Sequence, residues 1–247
     1  MGCILEKTAY EMETAVNCFD VDRYDRLKIS ALMKLHQEIG ERHVTEFGTS
    51  SAFLRDKLGV AFIFTKLKIK IHRLPKTADN IKVLTWCSEL KGIRFYRNYI
   101  VMSENNELLT ETKAEVVIMN RSDRRLVRPK EVEGFGNYLY NYDLVNGCEK
   151  PSKVDFPEAF NTSFKRQIRF SDIDFNGHVN NTVYADICFD CLDGETLKKT
   201  PKSVEINFVN EIMPDEELCV SFSSNEQTKL FSGSVSDRHC FTAKIEY

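Results

Sequence analysis

Residues 69–83, IKIHRLPKTADNIKV, align without a gap on residues 206–220, INFVNEIMPDEELCV, when the second half of the chain is moved back by 137 positions. Apolar residues fall on apolar residues, as Ile69 does on Ile206 and Val83 on Val220. Self-similarity of this kind indicates a duplicated structural unit. The 247 residues therefore predict two similar units of about a hundred residues each.

A second stretch repeats at an interval of 152 positions, where Asp174 falls on Asp22 and Val179 on Leu27. Both places show a short extended run, a polar turn and an amphipathic helix. We predict an N-terminal unit over 1–131 and a C-terminal unit over 162–247. Residues 132–161, rich in Gly, Asn, Pro and Tyr, are predicted to connect them across a surface.

The hydrophobic periodicity within each unit indicates one helix followed by about four antiparallel strands. Apolar residues recur at helical spacing after position 29, with Gly48 as the expected end, and again from Val183 to about Gly194. Leu67, Ile69 and Ile71 alternate with lysines, as in a strand with one buried face. The sequence therefore predicts an α+β fold in which a helix packs against a sheet.

Asp174, Asn176 and His178 stand at alternate positions just before the second helical pattern. On an extended segment, residues spaced by two point to one side, so we expect the three side chains to address one small volume. The helix that follows is expected to offer the backbone N–H groups of Val179 and Asn180 to a developing oxyanion. This combination indicates acyl-transfer chemistry, although a polar turn that caps a helix has the same composition.

The stretch DFNGHVNNTVY, residues 174–184, closely resembles the signature of the acyl-acyl-carrier-protein thioesterases. Glu211 occupies the place of the family's catalytic glutamate, and Ile212 stands where plant members have a cysteine, which excludes a cysteine nucleophile there. The resemblance covers nearly the whole chain. Its other matching segments are residues 35–38, 42–43, 48, 79–86, 124–129 and 207–215.

The resemblance implies a tandem (double) hot-dog fold, each unit a central helix wrapped by an antiparallel sheet, and hydrolysis of fatty acyl-acyl carrier protein to free fatty acid. Asp174, Asn176, His178 and Glu211 are the implied catalytic residues. The sequence leaves open whether Glu211 activates water or Asp174 attacks directly and forms an anhydride.

The N-terminal unit has Tyr24 and Arg26 where the C-terminal unit has Asn176 and His178. We therefore expect the N-terminal unit to be catalytically silent. Its apolar residues are expected to bind the acyl chain, which gains roughly 0.8 kcal/mol per buried methylene.

A net charge of −3 argues against general nucleic-acid binding, and no apolar stretch reaches the roughly 18 residues of a membrane span. A basic run contains Arg121, Arg124, Arg125 and Arg128. Such a run is usually a solvated turn, but it can also steer acyl carrier protein, which the resemblance implies as a strongly acidic partner. We expect the protein in the cytoplasm, because no signal-peptide pattern precedes Cys3.

The eight cysteines lack a dense framework and are expected to be free thiols. Cys188 and Cys191 form a C-x-x-C spacing without a second pair, and the scattered histidines lack ligand spacing, so no metal site is predicted. No Walker loop or complete dinucleotide fingerprint is present, and no cofactor is expected.

Three alternatives to this function remain at the level of sequence. An acyl-CoA thioesterase of the same fold differs only in the carrier, and a non-catalytic acyl-binding module would not need the retained polar residues. A hot-dog dehydratase fits less well, since its expected site pattern differs. Two units in one chain can satisfy the pairing that single-unit relatives obtain by dimerising, so both a monomer and a homodimer stay open.

Overall fold

The computed structural model of the protein describes residues 2–5, 8–132, 140–157 and 162–247. The chain divides into two compact units. Unit 1 consists of Met1–Lys28 with Leu32–Pro151, and unit 2 consists of Ser152–Tyr247 with Ile29–Ala31. The division falls within the segment that the sequence predicts as a connection.

Unit 1 is an antiparallel sheet with one long helix and one short helix. The sheet has the order β1-β2-β4-β5-β6-β3, with β7 paired to β6. Its elements are β1 (Gly2–Leu5), β2 (Ala9–Ala15), α1 (Ile29–Glu46), α2 (Ser51–Lys57), β3 (Val60–Ile71), β4 (Asn80–Lys91), β5 (Arg94–Ser103), β6 (Leu108–Asn120) and β7 (Leu126–Val127).

Helix α1 buries the face that the periodicity predicts. Leu32 and Ile39 are fully buried, as is His43 one turn further along the same face. Each fully buried aliphatic side chain contributes about 1.5–3 kcal/mol. The helix ends at Glu46, and Gly48 follows with a φ of 73°, the left-handed conformation in which glycine carries no steric cost. The predicted end at Gly48 is confirmed to within two residues.

The strands of unit 1 show the predicted alternation. Leu67, Ile69 and Ile71 are buried along β3. Trp86 of β4 packs with Ala9 in a cluster that also contacts Leu144 of the connecting segment. Since neighbouring residues of a strand point to opposite faces, this cluster lies on the opposite face from Thr85.

The connecting segment has no helix or long strand among its described residues, 140–157, but it is bonded to the sheets it crosses. In unit 1, the Asn141 N–H donates to the Cys87 carbonyl at 2.7 Å, and the Gly147 N–H donates to the Glu111 carboxylate. In unit 2, the Val154 N–H donates to Oδ1 of Asn207 at 2.8 Å. Hydrogen bonds to residues of the sheets therefore hold the segment in place.

Unit 2 repeats the pattern in a shorter form, with the sheet order β9-β12-β11-β10-β8. Its elements are β8 (Thr162–Gln167), α3 (Val183–Asp190), α4 (Gly194–Lys198), β9 (Ser203–Phe208), β10 (Glu217–Ser224), β11 (Thr228–Val235) and β12 (Arg238–Glu246). Together the two units confirm the predicted α+β class.

Helix α3 differs from its prediction at the C-terminal end. It ends at Asp190, and Gly194 begins the separate helix α4 instead of ending α3. The side chain of Asp193 caps α4 by accepting the N–H groups of Glu195 and Thr196 at 2.9 and 2.8 Å. This capping aspartate starts a new helix where the apolar periodicity alone suggested a continuation.

The core of unit 2 forms where α3 meets the sheet. The ring of Tyr184 contacts Phe208 of β9 and Phe241 of β12 edge-on, with ring centroids 5.3 and 5.1 Å apart. Such aromatic pairs add roughly 0.5–1.5 kcal/mol beyond area burial. They fix the first turn of α3, and with it the loop that precedes the helix.

Two general properties concern the whole described chain. None of its helices is both long and apolar enough to cross a membrane. The seven cysteines whose side chains the structure describes are all free, as predicted.

Candidate active site

The loop that carries the polar residues is a tight turn between an isolated bridge pair, Ile173 and Val179. The Asp174 N–H donates to the His178 carbonyl at 3.0 Å, and the Gly177 N–H donates to the Asp174 carbonyl at 3.0 Å. The expected extended segment is therefore wrong. Gly177 has a φ of 86°, which reverses the chain between the two polar residues.

The turn places His178 between two carboxylates. Its Nδ1 lies 3.9 Å from Oδ1 of Asp174, and its Nε2 lies 3.9 Å from Oε1 of Glu211. The side chains of His178, Asp174 and Glu211 are 22%, 13% and 30% exposed, so all three are mostly but not completely buried. Both distances are longer than a hydrogen bond, and Nδ1 has a closer partner in the Val179 carbonyl, at 3.3 Å.

Asn176 is exposed and acts on Asp174 through its backbone. Its N–H donates to Oδ1 of Asp174 at 2.8 Å, and its amide Nδ2 lies 3.5 Å from Oδ2 of the same carboxylate. The carboxylate of Asp174 is thus fixed by the turn that it begins.

The expected oxyanion donors are already engaged. Helix α3 begins at Val183, so Val179 and Asn180 precede it rather than form its first turn. The Val179 N–H donates to the Ile212 carbonyl at 2.9 Å, and the Asn180 N–H donates to the Asp172 carbonyl at 2.9 Å. Neither N–H is available to a substrate oxygen in this conformation, and their expected role is not supported.

Glu211 lies three residues after β9 ends at Phe208. The bond from the Val179 N–H to the Ile212 carbonyl ties this segment to the turn at Asp174. The side chain of Ile212 is fully buried.

Unit 1 contains the same turn with different side chains. The Asp22 N–H donates to the Arg26 carbonyl at 2.8 Å, and the Tyr24 N–H donates to Oδ1 of Asp22 at 2.8 Å, which are the bonds made by Asp174 and Asn176 in unit 2. Arg26 then pairs with the Asp22 carboxylate at 2.6 Å. An ion pair replaces the imidazole of the other copy.

The second carboxylate also has no equivalent in unit 1. The Leu27 N–H donates to the Pro75 carbonyl at 2.8 Å, the counterpart of the Val179 bond to Ile212. The residue before Pro75 is Leu74, which is buried and stands in the place of Glu211. The alignment of 69–83 on 206–220 places Leu74 on Glu211 and would have revealed this difference from sequence.

The basic residues predicted to dock a carrier lie on and after the hairpin between β6 and β7. All four arginines are exposed, and Arg124 has a φ of 61° at the tip of the hairpin. Arg125 lies 3.9 Å from Asp123 and Arg128 lies 3.7 Å from Glu131, distances typical of weak surface pairs. The predicted cluster, Arg121, Arg124, Arg125 and Arg128, belongs to unit 1, whereas the polar turn belongs to unit 2.

Solved structures establish the fold of the chain. It superimposes on an acyl-ACP thioesterase from Bacteroides thetaiotaomicron with a TM-score of 0.87 and 19% identity, over 96% of this chain and 97% of the other. For the 12:0-ACP thioesterase from Umbellularia californica, the TM-score is 0.84 and the identity 20%, over 96% of each chain. The predicted tandem (double) hot-dog fold is confirmed.

Family models identify the class of protein more closely. The model described as the acyl-ACP thioesterase N-terminal domain matches residues 7–133, and the C-terminal domain model matches residues 157–243. The chain belongs to the acyl-ACP thioesterase family.

Plant acyl carrier protein thioesterases are also similar in sequence to this chain, but the matches cover a smaller share of those proteins' own length. The chain is 25% identical over 217 residues to the chloroplastic oleoyl-acyl carrier protein thioesterase of Coriandrum sativum, covering 79% of this chain and 55% of that protein. It is 24% identical over 251 residues to oleoyl-acyl carrier protein thioesterase 2 of Arabidopsis thaliana, covering 92% and 66%. The chain thus spans between about half and two thirds of the relatives' length.

Proposed function

We propose that the protein hydrolyses the thioester of fatty acyl-acyl carrier protein in the cytoplasm and releases free fatty acid. The observation that carries the proposal is the position of His178 between Asp174 and Glu211 in unit 2. Unit 1 has the same turn, but Arg26 replaces His178 and Leu74 replaces Glu211. Family membership supports the same reaction.

In the proposed mechanism, Glu211 and His178 together take a proton from water. The water oxygen bonds to the thioester carbonyl carbon, the carbon–sulfur bond breaks, and the proton passes to the departing sulfur. Such acid–base catalysis contributes typically about 10²–10⁴ in rate. Asn176, whose amide makes only a 3.5 Å contact with Asp174, is the donor that we assign to the substrate or the water.

We assign Asp174 to orient His178 rather than to attack the substrate. Its Oδ1 accepts the Asn176 N–H at 2.8 Å, and a hydrogen-bonded carboxylate is a weaker nucleophile. Single-turnover hydrolysis in oxygen-18 water tests for the anhydride route, which labels Asp174 when water attacks the carboxyl carbon of the enzyme. Label should appear in the fatty acid and not in Asp174, whereas label in Asp174 would establish the anhydride.

The reaction itself is tested with a panel of acyl chain lengths on carrier protein and on coenzyme A, for wild type and for His178→Ala. We expect carrier-linked substrates to be hydrolysed and the variant to lose roughly a hundredfold or more in kcat. Preference for the coenzyme A panel would identify an acyl-CoA thioesterase. Binding of acyl thioesters without release of free thiol would identify a non-catalytic module.

A further inference from the structure

Glu211 lies outside any helix or strand, so its position depends on what binds the surrounding backbone. Nη1 of Arg238 donates to the Glu211 carbonyl at 2.8 Å. Nη2 of the same arginine contacts both carboxylate oxygens of Glu216 at 2.5 and 2.6 Å. Oε2 of Glu216 in turn accepts the Met213 N–H at 2.8 Å. One ion pair therefore holds the backbone on both sides of Ile212.

The residue between these two contacts is bound as well. The Ile212 carbonyl accepts the Val179 N–H at 2.9 Å. Three backbone polar groups in succession are thus occupied: the Glu211 carbonyl, the Ile212 carbonyl and the Met213 N–H. The side chain of Glu211 is therefore attached to a backbone segment that can shift only if one of these hydrogen bonds breaks.

Resting on the proposed function, we propose that Arg238 is a positioning residue for Glu211 and that Glu216 holds Arg238 in place. Charge-assisted hydrogen bonds of this kind are roughly twice as strong as neutral ones. Because Glu216 neutralises Arg238, the arginine adds no net charge to the site. Arg238 binds the main chain of Glu211. In this way it sets the position of the Glu211 carboxylate relative to Nε2 of His178.

The described part of unit 1, which we expect to be catalytically silent, forms the same turn without a hydrogen bond equivalent to the one from Arg238 to the Glu211 carbonyl. Glu107 stands where Arg238 stands in unit 2, and Arg73 stands at the place of Asn210, so the arginine of the ion pair lies on the other strand. Arg73 pairs with Glu107 at 3.0 Å and with Asp79 at 3.5 Å. Among the described residues, no side chain is seen to donate to the carbonyl of Leu74. An ion pair thus stabilises this turn in both units. The hydrogen bond from the arginine to the backbone of the proposed catalytic residue, Glu211, occurs in unit 2.

The test is Arg238→Gln, made in the wild type and in a Glu211→Gln background. If Arg238 acts through Glu211, kcat for acyl carrier protein substrate should fall roughly ten- to a hundredfold in the wild type, with KM within about twofold. In the Glu211→Gln background, the same change should cost almost nothing, because the two residues act as a unit. An equal loss in both backgrounds would overturn the proposal.

Two further variants control the experiment. Lys244→Gln removes a cation of the same strand that pairs with Glu246 at 3.0 Å, and it should leave kcat unchanged in both backgrounds. Arg238→Lys keeps the charge that pairs with Glu216 and should recover part of the loss.

If Arg238→Gln does not fold, Glu216→Gln replaces it. We expect a smaller loss with the same dependence on the Glu211 background, and an equal loss in both backgrounds would again overturn the proposal. Full activity of Glu211→Gln would instead count against the proposed function. Failure of the two ideas is therefore distinguishable.

Discussion

At the level of single residues, the two copies of the polar turn differ in what faces the aspartate. Arg26 closes on the Asp22 carboxylate at 2.6 Å and uses it in an ion pair. His178 stays 3.9 Å from Asp174, with its other ring nitrogen turned towards Glu211. An arginine stays protonated, whereas an imidazole exchanges protons near neutral pH. The chemical difference between the units therefore rests on few side chains.

Two buried histidines of unit 1 should make stability depend on pH. Burial lowers the pKa of His36, which stacks on Tyr99 at 4.4 Å, from 6.5 to about 3. Burial and the nearby Arg97 lower the pKa of His43 to about 3 as well. The unfolded chain therefore binds more protons between pH 6.5 and 3, and stability is lost as pH falls through that range.

Urea unfolding at pH 7 and at pH 5 measures this effect. The free energy of unfolding should fall by about 2 kcal/mol for each of the two histidines. In His36→Phe, about half of that difference should disappear. An unchanged pH dependence in the variant would show that His36 is not the buried neutral group described.

Three residues that the sequence predicts for the site lie close together in the structure, but in a different local geometry. Asp174, His178 and Glu211 were singled out, and the structure places the histidine within 4 Å of both carboxylates. The expected donors at Val179 and Asn180 are not available, because tertiary contacts already bind their N–H groups to the carbonyls of Ile212 and Asp172. No local pattern contains that information.

At the level of elements, the turn at residues 173–179 decides the site. A spacing of two suggested an extended segment, but alternate residues can also meet across a tight turn. Gly177, with a φ of 86°, makes the turn, and its counterpart Asp25 has a φ of 56°. The glycine at position 177 is the feature of the sequence that indicates a turn, since glycine adopts this conformation without strain.

Gly177→Ala should strain this turn. A Cβ at Gly177 would meet no atom within 4 Å, so the cost is that of the backbone conformation alone, about 1 kcal/mol. Because the turn also carries His178, we expect kcat to fall together with the urea midpoint. Gly194→Ala is the matched control, since it is equally uncrowded but lies at the start of α4, where alanine should be neutral or stabilising. A stable, fully active Gly177→Ala would contradict this account of the turn.

At the level of the whole molecule, the duplication is uneven. From Leu27 to Ile69 the chain advances 42 positions, whereas from Val179 to Ile206 it advances 27. Helix α1 has 18 residues and α3 has 8, which accounts for most of the difference. The repeat therefore aligns at two separate intervals. The helix in each unit was predicted from periodicity, but the α3–α4 break was not, because it depends on the Asp193 cap.

The exposed arginines of the β6–β7 hairpin carry a prediction about the partner. Arg124→Glu with Arg125→Glu should raise KM for acyl carrier protein substrate roughly three- to tenfold and leave short acyl-CoA turnover unchanged, because rim charges mainly steer association. Lys198→Glu with Lys199→Glu, an exposed cationic pair of unit 2, is the control and should have little effect. Equal changes with both substrates would argue against docking at the hairpin.

The central claim is that one unit catalyses and the other has lost the means to do so. The most direct measurement compares single-turnover hydrolysis of acyl carrier protein substrate by Asp174→Asn and by Asp22→Asn, isosteric changes at the same position of the two turns. Asp174→Asn should lower the rate about a hundredfold or more, whereas Asp22→Asn should stay within about twofold of wild type. Equal loss in both variants, or full activity of Asp174→Asn, would contradict the account.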